Sequence, residues 1–182
     1  ASLDGPAATD DGAVPPCSLV PSGPIVVDTP GAIVERLDVT SDGAAGILVT
    51  ADGVTIRDVR IRHRGGVGIS VENAADVVIE RVDVENVGAP ASGAASSADE
   101  NNIATYRAPR LSVRHARLTR GSSGIYLHES PSSTLVDIEG HDFRGPLPRG
   151  QLVQWNASDD GSLDGFSVEC DAGSWTEDNV NV

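Results

Sequence analysis

Apolar and polar residues alternate along two short runs between Val54 and Asp76, and the same two runs return throughout the chain. In the first, Ile56, Val59 and Ile61 are apolar, with Arg57, Asp58, Arg60 and Arg62 between and after them; in the second, Ile69 and Val71 alternate with Ser70 and Glu72. Alternation at period two is the strand signature, and Gly65, Gly66 and Gly68 mark a turn between the runs. The triad recurs as Val34/Leu37/Val39, Ile79/Val82/Val84, Val113/Ala116/Leu118, Leu135/Ile138/Gly140 and Leu163/Phe166/Val168. A second ladder runs Ile25, Ile47, Ile69, Ile103 and Ile125, then Gln151 or Leu152, then Val180, and its first four steps are 22, 22, 34 and 22 residues. One unit has too little apolar surface to fold alone, so its copies must supply the partner.

Charges test this register independently of the apolar rows. Alignment on the apolar residues puts Glu35, Arg57, Glu80 and Arg114 in one outward column. Arg36, Asp58, Arg81, His115 and Asp137 fall in a second, and Asp38, Arg60, Asp83, Arg117 and Glu139 in a third. Sign alternates along most of each column, as stacked parallel strands about 4.8 Å apart require if like charges are not to meet. No stretch shows a sustained period of 3.6, so the fold expected is all-β: a parallel β-helix, or β-solenoid, of about six to seven coils. Residues 1–22, rich in Ala, Asp, Gly, Pro and Ser, read as an N-terminal extension or cap. Residues 23–182 form the β-helix, whose last run, Asn179 to Val182, stops in mid-strand and is open to continuation beyond residue 182.

Three segments interrupt the coils: Gly88 to Asn101, His141 to Gly150 and Asp171 to Asp178. All fall in the same turn of the unit, so they are expected side by side as a wall along one flank. Next to that turn the alignment places an outward column of Thr50, Glu72, Tyr106, His128 and Gln154, with Tyr126 and Glu129 beside it. Together with Arg149, Trp175 and Glu177 from the excursions, Tyr126, His128 and Gln154 make a candidate substrate-binding groove of polar groups and aromatic faces. Glu129 with Glu177 or Asp178 would supply a carboxylate pair for a hydrolase. His63, His115 and His141 are scattered over different coils with no metal-ligand spacing.

The composition narrows the partners. Thirteen arginines and no lysine face 27 acidic residues, for a net charge of -14, so nucleic acid is not an expected partner. No apolar run is long enough to span a membrane. The chain opens on Ala-Ser-Leu-Asp without a charged-then-apolar leader, which fits the expected mature secreted, periplasmic or cell-surface protein and fits a cytosolic one equally. Cys17 and Cys170 lie near opposite ends of the stack, roughly 30 Å apart at the inter-strand spacing, beyond the reach of a disulfide within one chain unless the leader runs back along the helix. In a head-to-tail stack of two copies they would be neighbours, an intermolecular disulfide candidate. Two readings follow: polysaccharide binding or processing on the flank with the excursions, or a non-catalytic solenoid assembling end to end.

The coil pattern in VTIRDVRIRHRGGVGISVENAADVVIERVDVENV and LSVRHARLTRGSSGIYLHES resembles the right-handed parallel β-helix proteins of the pectate-lyase-like superfamily, and HDFRGPLPRGQLVQW is similar to bacterial members of it. The resemblance implies a right-handed coil from Pro24 onward. Arg144-Gly-Pro146-Leu-Pro-Arg149 also matches the R-x-P-x-x-R pattern of pectate lyases. That match implies Arg144 as the base abstracting the proton α to a uronate carboxylate, with Ca2+ acidifying it. The companion W-I-D-H motif is absent, as is any lysine to grip the carboxylate.

Overall fold

The computed structural model describes residues 19–90, 99–176 and 178–182. Fifteen strands run in chain order: β1 (Val20–Ser22), β2 (Ile25–Val27), β3 (Ile33–Glu35), β4 (Leu37–Asp42), β5 (Ile47–Val49), β6 (Thr55–Arg64), β7 (Ile69–Glu72), β8 (Val78–Asn86), β9 (Ile103–Tyr106), β10 (Ser112–Thr119), β11 (Ile125–His128), β12 (Thr134–His141), β13 (Val153–Asn156), β14 (Ser162–Glu169) and β15 (Val180–Asn181). They form two parallel sheets. The long strands stack in the order β1-β4-β6-β8-β10-β12-β14, with β3 also on β6, and the short strands in the order β2-β5-β7-β9-β11-β13-β15. Each coil contributes one long and one short strand, and the stack has no helix among the described residues.

The apolar rows point to the axis, as the alternation requires. Ile47, Ile69, Ile103 and Ile125 are fully buried in the short-strand sheet, and Val39, Ile61, Val84 and Leu118 form an equally buried row from the long one. Gly140 continues this second row without a side chain, and the space is filled by Phe143, fully buried, from the second excursion. A Cβ on Gly140 would stand 2.7 Å from that ring. On the last coil the same rows lose their cover, and Phe166 is 53% exposed.

Outward charges pair along the stack. Arg57 stands opposite both Glu35 and Glu80, and Arg114 opposite Glu80. Arg57 Nε donates to Glu35 Oε2 at 2.8 Å, and Arg60 and Arg62 share Asp38 at 2.7 and 2.9 Å. The Arg60 hydrogen bond, helped by Arg62, holds the Asp38 carboxyl below the usual carboxylate range.

One column differs from a simple strand. Arg36, Asp58, Arg81, His115 and Asp137 all have φ between 50 and 55°, and Gly165 completes the row at 68°. This left-handed residue bends each long strand, which is why two polar residues separate the first two apolar members of the triad but only one separates the next two. Pairing continues around the bend: Arg81 Nε donates to Asp58 Oδ1 at 2.7 Å, and His115 lies 3.3 Å from Asp137.

Two registers need correction. Val153, rather than Gln151 or Leu152, stands between Ile125 and Val180. Gln151 belongs to the turn before β13, where its Nε2 donates to the Pro148 carbonyl at 2.6 Å and its Oε1 accepts from Ser123 Oγ at 3.1 Å. In consequence Gln154 stands opposite Tyr126, and the outward column of Glu72, Tyr106 and His128 continues to Asn156.

Each excursion leaves a long strand and returns at the next short one, between β8 and β9, β12 and β13, and β14 and β15. The second and third are joined: Trp175 N–H donates to the Phe143 carbonyl at 2.8 Å. Cys170 is an exposed free thiol, 3.6 Å from Thr176 Oγ1, while Cys17, like all of residues 1–18, lies outside the described residues. No helix of the described residues is long and apolar enough to cross a membrane.

Candidate functional site

Outward positions of the short-strand sheet bring aromatic rings, an imidazole and amides together. In β9 and β11, period-two alternation turns Ile103, Thr105, Ile125 and Leu127 inward and Tyr106, Tyr126 and His128 outward, and parallel pairing sets Tyr106 directly opposite His128. The three rings form one cluster. Tyr106 meets Tyr126 and His128 edge-on at centroid distances of 6.1 and 6.0 Å, and Tyr126 and His128 lie parallel at 6.3 Å.

The second excursion folds over this cluster. Arg149 sets its guanidinium carbon 4.3 Å from the Tyr126 ring centroid and donates from Nη1 to Gln154 Oε1 at 2.8 Å. Asn156 Nδ2 donates to the Tyr126 hydroxyl at 2.8 Å. Tyr126 is therefore only 7% exposed: it orients Arg149, His128 and Asn156 from three segments rather than offering a free face. Tyr106 and His128 remain partly open, and Nδ1 of His128 is a buried atom with no hydrogen-bond partner. Burial, then the nearby Asp99 carboxylate and, more weakly, Tyr126 and Glu72, push the Tyr106 phenol up, against the pull of Arg149.

Of the residues expected from sequence, Tyr126, His128, Arg149 and Gln154 come together here. Glu129 borders them, 3.8 Å from both His128 Nε2 and Arg107 Nη1. Trp175 is 42% exposed on the third excursion, its Cδ1 alongside Gly145, and Asp178 is exposed on the same segment. Glu177 lies outside the described residues. Arg144 is engaged elsewhere. It is 7% exposed, and its Nη1 and Nη2 donate to Asp171 Oδ1 and Oδ2 at 3.0 and 3.4 Å, tying the second excursion to the third.

Sequence reasoning missed Asn156, which a correct register of β13 would have found, and Asp99, which sits in an excursion with no period to place it. The carboxylates near Arg144 do not fit a Ca2+ site. Asp171 Oδ1 accepts from Arg144 and from Gly173 N–H at 2.7 Å, and Asp142 Oδ1 accepts from Asp171 N–H at 2.7 Å. Among the described residues no group of three His, Cys, Asp or Glu side chains could hold a metal ion.

The sequence profile of the right handed β-helix region matches residues 45–180, well over half of the chain. The chain belongs to the right-handed β-helix family. No curated protein matches it. In this β-helix, then, the coil is right-handed, and the cluster sits on its short-strand face beside the turn that carries all three excursions. The face sets aromatic rings beside amide, imidazole and carboxylate groups on neighbouring strands.

Proposed function

We propose that this β-helix binds polysaccharide outside the cytoplasm, along the short-strand face under the second excursion. The observation that carries this reading is the convergence of Tyr106, Tyr126 and His128 within 6.3 Å of one another, with Arg149, Gln154 and Asn156 hydrogen-bonded or stacked around them. Binding is favoured over lyase chemistry because the Arg144 guanidinium is already committed to Asp171, and a base must be free to take a proton.

Calorimetric titration against neutral, acidic and amino-sugar oligosaccharides tests the reading. At least one class should bind, and Tyr106→Ala should weaken it by roughly 1–3 kcal/mol, as expected for loss of an aromatic contact. Failure of every class to bind the folded protein would overturn it.

A further inference from the structure

We infer that this face takes an amino-sugar polymer carrying protonated amines rather than an acidic polysaccharide; the inference rests on the glycan-binding reading above.

The arginines near this face are already held within the protein. In the turn after β9, Arg107 Nε donates to Asn73 Oδ1 at 2.7 Å, and Arg110 forks onto Asp76 at 2.6 and 2.7 Å. In the second excursion, Arg144 is paired with Asp171, and Arg149 is spread over Tyr126 and bonded to Gln154. A uronate carboxylate reaching this face would therefore meet arginines already engaged, with Arg107 also facing Glu129 at 3.8 Å.

Carboxylates are better placed to meet a ligand. Glu72 precedes Tyr106 in the outward column and accepts a hydrogen bond from Ser70 Oγ at 3.0 Å. Glu129 follows His128, is half exposed, and is approached by Arg107 and His128 only at 3.8 Å. The two glutamates therefore bracket the Tyr106 ring across two inter-strand spacings, roughly 9–10 Å along the stack. The aromatic cluster already holds a cation, the Arg149 guanidinium over Tyr126, which is the contact that an ammonium group makes with a ring face. The raised Tyr106 phenol reports the same negative surroundings, with burial as the larger cause. The net charge of -14 adds a long-range field of the same sign.

The test measures the affinities of three oligomers of equal length by calorimetry, at a pH where sugar amines are protonated: β-1,4-linked glucosamine, its N-acetylated counterpart and a polyuronate. The glucosamine oligomer should bind roughly tenfold tighter than the acetylated one, and the polyuronate weakest. The Glu72→Gln/Glu129→Gln pair should remove most of that difference. Asp137→Asn/Asp164→Asn, the same charge change on the long-strand face, should retain it. Equal or tighter binding of the acetylated or uronate oligomer, or loss of the preference in both double variants alike, would overturn the inference while leaving glycan binding intact. Binding of no oligomer at all would sink the glycan reading, and the inference with it.

Discussion

A single buried imidazole makes the native state of this protein sensitive to acid. His63 is fully buried at the end of β6, where its Nδ1 lies 2.7 Å from the Gly66 carbonyl and its Nε2 has no partner. Burial pulls its pKa down to about 4 from 6.5, partly offset by the Gly66 hydrogen bond. The unfolded chain therefore binds the proton more readily than the native state. The stabilisation is fully present above pH 6.5 and is lost as pH falls toward 4, about 3 kcal/mol in all. Urea unfolding at pH 7, 5.5 and 4 should show this slope, and His63→Leu should lack most of it. The paired Asp38, Asp58, Asp76 and Asp171 have pKa values lowered below 3.8, so their contributions vanish only at lower pH and do not mimic it. At this scale the sequence was partly readable. Arg57 between Glu35 and Glu80 followed from the apolar register, because alternation leaves a strand side chain only two directions. The burial of Tyr126 did not follow, because a non-local loop rather than its own strand covers it.

The element that decides the register is the tight turn from each long strand into the next short one. A Cβ on Gly68 would run into the Asn102 carbonyl oxygen and the Val84 side chain, whereas one on Gly23 would meet nothing within 4 Å. Gly68→Ala should thus cost about 1–3 kcal/mol and Gly23→Ala almost nothing, as measured by thermal or denaturant unfolding. The second and third excursions, which lead into the last two short strands, β13 and β15, are tied together by Arg144. Arg144→Ala removes the ion pair that ties the two excursions, leaving Asp171 only its hydrogen bonds within its own turn, and should loosen the second excursion, read as earlier proteolytic cleavage in residues 142–150. Existence and position of the excursions were legible, since they break a 22-residue period. Where they return was not: Gln151, Leu152 and Val153 all follow a Pro-rich loop, and only the structure shows that Gln151 is spent on the turn. The bend was written in the spacing of Ile56, Val59 and Ile61, but two adjacent polar residues read as easily as a slip in a flat strand.

For the whole molecule, the stack gives its two faces different chemistry. The long-strand face spends its charges on coil-to-coil pairs such as Arg60 with Asp38 and Arg81 with Asp58. The short-strand face gathers rings, amides and carboxylates beside the excursions. The fold class was readable from the sequence, since both the apolar rows and the sign alternation demand stacked parallel strands. The face proposed for a ligand is drawn from the sequence only as a flank, because Asp99 and Asn156 join it through loop packing and register. Amide chemical-shift mapping during titration with the tightest-binding oligosaccharide tests the assignment of that face most directly. Shifts should concentrate at Glu72, Tyr106, His128, Glu129, Arg149 and Asn156, with β6, β8 and β10 unmoved. Shifts centred on the outward side of those long strands, or on the last coil around Phe166, would contradict it.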